Sequence, residues 1–488
     1  MTDILVRPGA APARPTTAVL RHRDDERGGA DLVAGIRSCA GRLRAAGVRP
    51  GDRVLLKAGN STAYVVTLLA LAHADASVVL VDHRQDGAGT RSIAALTGAR
   101  WLVTDTRDRL DLPPDRVLPL ADAVTAAASA RPEPTGPDLA PWWRRDDAVI
   151  LCSSGTTGVP KCVVKSGPAL LDNTARTIGA LGLAPDEVIA PWLPFSHQYG
   201  LSVVISWWFA GCTLSVSPQT RPDQAVMDVI TDRATIVEAT PSTYRVLLRL
   251  LAARPWLRAD LAGVRSWGVG GEPLPRSVAG DFRAVMGRPL LDGYGLTEVG
   301  NVALAAGDNP VGCGRPLPGV DVRVVDGTGH AVAAGEVGAI EVRSAGLMAG
   351  YLDAGGQIVP PAPGWYPTDD LGHLDRSGNL HVIGRRHAVH RRGYTLYPES
   401  IGHRAEECGR PVQVVPVDDE RRGCALVFVV CDPSGGSPQE WRRRICAVLP
   451  RYEHPNRVHV VDEFPVTSNG KVDRAGLRVL VTSGPADG

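Results

Sequence analysis

Leu151-Cys152-Ser153-Ser154-Gly155-Thr156-Thr157-Gly158-Val159-Pro160-Lys161 is the stretch on which the fold turns. It follows the apolar run Ala148-Val149-Ile150, which reads as a strand, and it interleaves glycines with small hydroxylated residues before ending on a lysine. Backbone N–H groups and hydroxyls can converge on an anion there while the ammonium adds a point charge, a composition that suits a polyphosphate. It is not a Walker A loop, because Pro160 stands where that loop needs a glycine before its lysine. On residue types alone, a polar surface turn stays open beside phosphate binding.

Working outward, apolar residues recur at helical spacing from Asp31 to about Val81, and a Gly47 to Asp52 turn leads into the strand-like Arg53-Val54-Leu55-Leu56. A helix over Ala63 to Ala72, a strand over Ala76 to Val81 and another at Trp101-Leu102-Val103-Thr104 follow. Strands and helices alternating at this spacing predict layered α/β architecture with a mainly parallel sheet. Leu112 to Pro141, rich in Pro and Ala, reads as a surface connection. Beyond Asp308 the texture changes to short strands between Gly and Pro turns (Val320 to Val325, Val337 to Val342, Leu380 to Ile383), a β-rich subdomain. After Gly384 come a basic loop, a helix near Ser400 to Cys408, strands at Val412 to Val417 and Ala425 to Val430, and a helix at Pro438 to Leu449, enough for a small α+β domain. The expected division is a large domain over 18–384 and a small one over 385–488, with Gly384 to Gly393 as hinge.

Composition bounds the function. The 488 residues include 44% hydrophobic and 22% charged side chains, ordinary for a globular chain with a large core. Fifty-three basic and 52 acidic residues leave a net charge of +1, so no basic footprint for nucleic acid or a membrane surface is present. The uncharged stretch Gly200 to Ser217 is broken by glycines and hydroxyls and reads as a buried helix-to-strand passage, not a membrane span. Met1 to Thr17 lacks the apolar core of a secretory signal. The nine cysteines are scattered and never spaced C-x-x-C, which predicts neutral thiols in a reducing cytoplasm, not disulfides or a zinc site. Of the 53 basic residues only Lys57, Lys161, Lys165 and Lys471 are lysines. In so arginine-biased a chain, a retained lysine marks a place where a planar guanidinium cannot do the work of a compact ammonium.

Further segments carry candidate chemistry. In Asp292-Gly293-Tyr294-Gly295-Leu296-Thr297-Glu298, glycines bracket a ring able to stack on a base, followed by a hydroxyl and a carboxylate suited to phosphate and a divalent cation. A tight turn with a buried tyrosine is the alternative. Gly270-Gly271-Glu272-Pro273 is similarly open. The paired carboxylates of Trp365-Tyr366-Pro367-Thr368-Asp369-Asp370 suit vicinal ribose hydroxyls or plain solvation. Phe464-Pro465-Val466-Thr467-Ser468-Asn469-Gly470-Lys471 places a lysine at the tip of a Gly-Asn turn, either exposed or reaching into a cleft.

Taken in this order, the segments resemble the adenylate-forming superfamily of acyl- and aryl-CoA synthetases, nonribosomal adenylation domains and luciferases. Besides the Ser153 to Lys161 core and Tyr294-Gly295-Leu296-Thr297-Glu298, the resemblance rests on Gly314-Arg315-Pro316, Gly335-Glu336-Val337-Gly338, Gly350-Tyr351-Leu352 and Lys471, and it spans nearly the whole chain. It implies a two-step reaction: a carboxylate attacks the α-phosphorus of ATP, giving an acyl-adenylate and pyrophosphate, and a thiol then takes the acyl group. By family position Ser153, Ser154, Gly155, Thr156, Thr157 and Lys161 hold the β- and γ-phosphates, Thr297 contacts the α-phosphate, and Glu298 holds Mg²⁺. Gly271 and Tyr294 frame the adenine, Glu272 is a further cofactor-binding residue, Asp370 and Arg385 hold the ribose, and Lys471 bridges the reacting oxygens. The small domain then rotates, withdrawing Lys471 and opening a channel for CoA or for the phosphopantetheine thiol of a carrier protein.

In Leu193-Pro194-Phe195-Ser196-His197-Gln198-Tyr199-Gly200, amino-acid-activating members carry an aspartate where Ser196 stands. Without that counter-charge an α-ammonium would be buried unpaired. The Pro-x-x-His pattern instead resembles acyl- and aryl-activating members, with His197 at the substrate or packed on a backbone carbonyl. His197, Gln198, Tyr244, Gly268 and Gly295 are the expected pocket. Gly393-Tyr394-Thr395-Leu396-Tyr397-Pro398-Glu399 resembles the CoA-synthetase version of its loop. Three departures stand out: seven residues between Arg385 and Gly393 where eight are usual, His387 in place of a hinge aspartate or lysine, and Asp369 in place of glycine. They bear on the second half-reaction more than the first. The expectation is an AMP-forming ligase acting on an aromatic or other non-amino acid with ATP, Mg²⁺ and CoA; a carrier-protein thiol, another acceptor, or an oxyanion such as nitrite is the alternative.

Overall fold

The computed structural model describes residues 17–483 except 23–24, 107–111, 125–135, 154–160, 218–220, 386–388, 392–393, 397, 420–422, 450–452 and 468–470. The sequence-predicted residues Ser154, Gly155, Thr156, Thr157, His387 and Gly393 lie outside the described set, as do the side chains of Ser153 and Arg385.

Two eight-stranded sheets form the bulk of the fold. In the first, Arg53–Lys57, Ser77–Val81, Trp101–Thr104, Val117–Pro119 and Val149–Ser153 run parallel, and the antiparallel strands Lys161–Lys165, Gly350–Leu352 and Ile358–Val359 extend one edge. In the second, Val19–His22, Thr213–Ser215, Val188–Pro191, Ile236–Ala239, Ser266–Gly270 and Leu291–Leu296 are parallel, closed by antiparallel Asp25–Gly28 and Gly300–Leu304 at the edges. The mainly parallel α/β layering expected from the alternation is therefore present. The connection at Leu112 to Pro141 is less superficial than its composition suggests, because Val117–Pro119 adds a strand and Leu120 and Ala123 are buried.

The helices Thr62–His73 and Gln198–Ala210 are apolar around most of their circumference, and both are buried along nearly their whole length in one continuous core with residues of both sheets. An all-round hydrophobic helix must be buried on every side, and the Gly200 to Ser217 stretch is indeed a helix followed by the strand Thr213–Ser215. No helix among the described residues is long and apolar enough to cross a membrane.

The β-rich part is an antiparallel four-stranded sheet of Asp321–Val325, Gly338–Arg343, Tyr366–Leu374 and Leu380–Arg385. Beyond it, Val412–Asp419, Gly423–Cys431 and Arg457–Val461 make a three-stranded sheet packed with the helices Pro398–Ala405 and Pro438–Val448 around Phe428, Ile445 and Trp441. The α/β body, β-rich sheet and small α+β C-terminal part thus follow in the predicted order.

The expectation of unpaired thiols needs one correction. Cys152 and Cys162 face each other directly across the antiparallel strands that flank residues 154–160, with Cα atoms 4.0 Å apart, and they form a disulfide. Linear spacing gives no hint of this, because the pairing depends on hairpin register.

Candidate active site

Several motifs converge where the first sheet's hairpin meets the turn after Leu296. Ser153 is the register partner of Lys161 at the mouth of the glycine-rich loop. Gly350–Leu352 pairs with the lysine's own strand, which sets Tyr351 beside it. The Lys161 ammonium lies 4.0 Å from the centre of the Tyr351 ring and 4.0 Å from Glu298 Oε1, a cation held by a π face and a carboxylate together. Tyr351 donates its hydroxyl to Glu298 Oε1 at 2.7 Å and shares a 2.8 Å hydrogen bond with Tyr366. Burial, with the neighbouring Tyr366 and Glu298, holds the Tyr351 phenol above its ordinary pKa, so it stays a donor.

Beneath this cluster lies Lys165, fully buried, whose Nζ donates to the carbonyls of Glu298 (3.1 Å) and Gly346 (2.6 Å). Burial brings its pKa down to about 7. It fixes the backbone of the residue whose side chain faces Lys161. On the other flank, Asn173 clamps Asn301 through both its amide groups (2.7 and 3.0 Å), anchoring the turn that carries Thr297 and Glu298.

Tyr294 is buried and donates to Asp370 Oδ2 at 2.7 Å, joining the glycine-flanked tyrosine to the β-rich sheet. Asp370 is the register partner of Arg385. The preceding Asp369 has φ = 59°, the left-handed region that a side chain adopts at some cost, a conformation that suits the glycine which the family resemblance implies there. Asp292 is half-buried beside the Cys313 thiol at 3.5 Å, and desolvation pushes its carboxyl up to about 7.

Gly271 also has positive φ, 88°, and turns the chain from strand Ser266–Gly270 toward Glu272. The Glu272 carboxyl accepts from the Ser242 backbone N–H at 3.3 Å; burial raises its pKa against the opposing charges of Arg245 and Lys471. The C-terminal lysine therefore sits within electrostatic reach of the Gly271–Glu272 turn. A local hairpin presents it, with Thr467 N–H donating to the Lys471 carbonyl (2.7 Å) and Val466 bridging Val472. Exposed ion pairs Arg249–Glu463 (2.7 Å) and Arg276–Glu407 (3.2 Å) link the same C-terminal part to the body.

His197 begins helix Gln198–Ala210 after a turn that only glycine at position 200 permits, since a Cβ there would lie 2.1 Å from the Pro194 carbonyl oxygen. Its Nε2 meets Asp82 Oδ2 at 2.9 Å. The partner is thus a carboxylate, not the backbone carbonyl of the packed alternative. Burial pushes Asp82 up, but His197 and the Arg84 N–H outweigh it and hold the carboxyl below its ordinary value. Tyr244, expected in the pocket, is fully buried and donates to the Gly268 carbonyl at 2.8 Å.

The structure thus brings together Lys161 with Glu298 and Tyr294 with Asp370, and leaves the Lys471 charge within electrostatic reach of Glu272. Asp82, Lys165, Tyr199, Glu238 and Tyr366 escape sequence reasoning as site residues; Lys165 alone left a signal, the scarcity of lysine.

A parallel α/β body with Lys161 and Glu298 paired at a strand end, a buried tyrosine–aspartate pair and a small C-terminal α+β part belongs to an AMP-forming ligase of the acyl- or aryl-CoA ligase kind, which uses ATP. The chain belongs to the AMP-binding enzyme family, which it matches over residues 10–352, and residues 407–471 match the AMP-binding enzyme C-terminal domain. It is 29% identical to a feruloyl-CoA synthase of Amycolatopsis sp over 485 residues, covering 95% of this chain and 96% of that one. An anthranilate–CoA ligase of Pseudomonas aeruginosa is 29% identical over 517 residues, covering 98% and 96%. Among solved structures, ATP-bound MatB from Rhodopseudomonas palustris superposes with a TM-score of 0.83 at 25% identity, with 96% of each chain covered.

Proposed function

We propose that this enzyme adenylates an aromatic or other non-amino carboxylic acid with ATP and transfers the acyl group to CoA. The observation that carries the proposal is the Lys161–Glu298 pair, 4.0 Å apart beside the Tyr351 ring at the mouth of the glycine-rich segment, with the Lys471 charge within electrostatic reach of Glu272. An ammonium from the C-terminal part then stands where negative charge develops as the acid's oxygen bonds to the α-phosphorus and the bond to pyrophosphate breaks. Lys161, together with Ser153, Ser154, Gly155, Thr156 and Thr157, binds the β- and γ-phosphates; Thr297 contacts the α-phosphate. Tyr294, Gly271 and Glu272 frame the adenine, and Asp370 with Arg385 holds the ribose. His197, oriented by Asp82, faces the acid's carboxylate.

Mg²⁺ fits the donor set at Glu298: a carboxylate beside the Thr297 hydroxyl offers hard oxygen ligands, and phosphate oxygens complete such a shell. When bound there it neutralises phosphate charge. Lys165 and Tyr351 hold Glu298 in position, from its backbone and its carboxylate respectively.

In the second half-reaction residues 385–488 act as a lid that turns about 384–393 and withdraws Lys471 for the thiol. The feruloyl- and anthranilate-CoA ligases among the relatives support CoA as acceptor. The shortened spacing between Arg385 and Gly393 and the histidine at position 387 favour a second reading, in which the adenylate passes to a carrier-protein thiol or another acceptor, or a non-carboxylate oxyanion such as nitrite is activated. Acid-dependent pyrophosphate release measured with and without CoA, with mass spectrometry of the products, separates these. Acyl-CoA is the expected product, and its absence across a broad acid panel rejects CoA as acceptor.

A further inference from the structure

Glu238 lies in strand Ile236–Ala239, in the interior of the second eight-stranded sheet, and is only 4% exposed. The Tyr199 hydroxyl donates to its Oε2. No donor among the described residues reaches Oε1, although that atom is buried. A carboxyl kept only to hold Tyr199 needs one accepting oxygen; the second, taken from water and given no partner, is a cost without a return inside the folded chain.

The surrounding backbone keeps room for these polar groups. Glu238 is the register partner of Gly268, and Gly270 is the partner of Gly293. Gly268 and Gly270 are two residues apart on one strand and so share a face. A Cβ on Gly268 would come within 2.2 Å of Glu238 Oε2, and one on Gly270 within 3.2 Å of the Tyr199 ring. Larger residues at these glycines would expel the carboxyl and the phenol. The lane also has a direction. Gly270 runs into the Gly271–Glu272 turn, which lies within reach of the Lys471 charge, whereas Gly268 and its partner Glu238 lie three residues back from Gly271, about 10 Å at the rise of a strand, comparable with the length of an aromatic acid. Tyr199 stands two residues after His197, at the side of the same lane.

We propose that Glu238 determines substrate specificity, its Oε1 accepting a hydrogen bond from an aromatic amine or phenol at the end of the acid remote from its carboxylate. The inference rests on the adenylation reading and adds the substrate class. Burial pushes the Glu238 carboxyl up to about 7, so both protonation states are within reach near neutrality and a neutral N–H or O–H donor suits the site. An aromatic amine is uncharged at that pH, which is compatible with Ser196 in place of the aspartate that pairs an α-ammonium.

The test is acid-dependent pyrophosphate release with benzoate, cinnamate and their 3- and 4-amino and 3- and 4-hydroxy derivatives, for the wild type, Glu238→Gln and Glu238→Leu. In the wild type, kcat/KM for a donor-bearing acid should exceed that of its unsubstituted parent by at least about tenfold, because a site with buried polar groups rejects a partner that leaves them unpaired. Glu238→Leu should erase or invert that ratio, mainly through KM, while Glu238→Gln, which keeps an accepting oxygen, retains part of it. The amino and hydroxy arms identify the donor. A wild type that treats parent and derivative alike, or a ratio unchanged in Glu238→Leu, overturns the proposal while adenylation stands. Release with aliphatic acids but with none of this panel overturns this proposal alone; no release with any acid, aliphatic ones included, overturns the adenylation reading and this proposal with it. Should Glu238→Leu fail to fold, the ratio in Glu238→Gln decides, since a merely structural role would lower all rates without moving it.

Discussion

Lys165 and Lys471 are the same side chain under opposite conditions. Lys165 is fully buried, spends its protons on two backbone carbonyls, and is brought by burial to a pKa of about 7. Lys471 is exposed at the end of a hairpin and acts on Glu272 through its charge. Lys57 repeats the first pattern, fully buried with its Nζ 2.6 Å from the Gln85 carbonyl, and Lys161 the second, exposed beside Glu298. A small buried nest of carbonyls suits a compact ammonium better than a broad, permanently charged guanidinium, and under the proposed function the exposed lysines serve as point charges aimed at phosphate, which a planar fork does not replace. Scarcity therefore marks irreplaceability, and only the surroundings tell anchor from reagent.

The sharpest way to break this comparison is Lys471→Arg. It should lower pyrophosphate release by about 10²-fold or more while leaving the melting temperature unchanged, since the charge survives but its placement does not. A fully active variant would leave simple charge as sufficient. Lys165→Met should act through stability: two carbonyls lose their donor in the interior, at about 1–3 kcal/mol each, with a melting temperature lower by several degrees in calorimetry. Unchanged melting would remove Lys165 as an anchor.

A pH series sharpens the anchor side. Burial raises Glu238, Asp292 and Glu406 to about 7 from ordinary values of 4.5, 3.8 and 4.5. Between those limits the folded chain keeps protons that the unfolded chain has lost, so stability falls as pH rises, by on the order of 1.4 kcal/mol per pH unit for each such group. The melting temperature should drop between pH 5 and 7, and Glu238→Gln should flatten that slope. The smallest effect belongs to Arg249→Ala. Its ion pair with Glu463 is exposed on both sides, so stability should change by less than about 1 kcal/mol and pyrophosphate release by under twofold.

What the sequence makes legible follows the same division. Local constellations were readable because their chemistry lies in adjacent residues: the Ser153 to Lys161 core, Tyr294 to Glu298 and the turn at Lys471. Partners across the fold were not. Asp82 is 115 residues from His197 and Lys165 is 133 from Glu298, and strand order alone brings them together. The Cys152–Cys162 pair and the Glu238–Gly268 contact depend on hairpin and strand register, which no residue in either segment announces. Asp369 was visible as a departure, but its meaning, a side chain held at positive φ, needed the backbone.

The most direct test of the proposed division of labour takes one preparation of Lys471→Ala and measures both half-reactions: pyrophosphate release from ATP and acid, and single-turnover consumption by CoA of a chemically synthesised acyl-adenylate. The account predicts loss of the first with the second near its wild-type rate. Equal loss of both, or retention of the first, would contradict it.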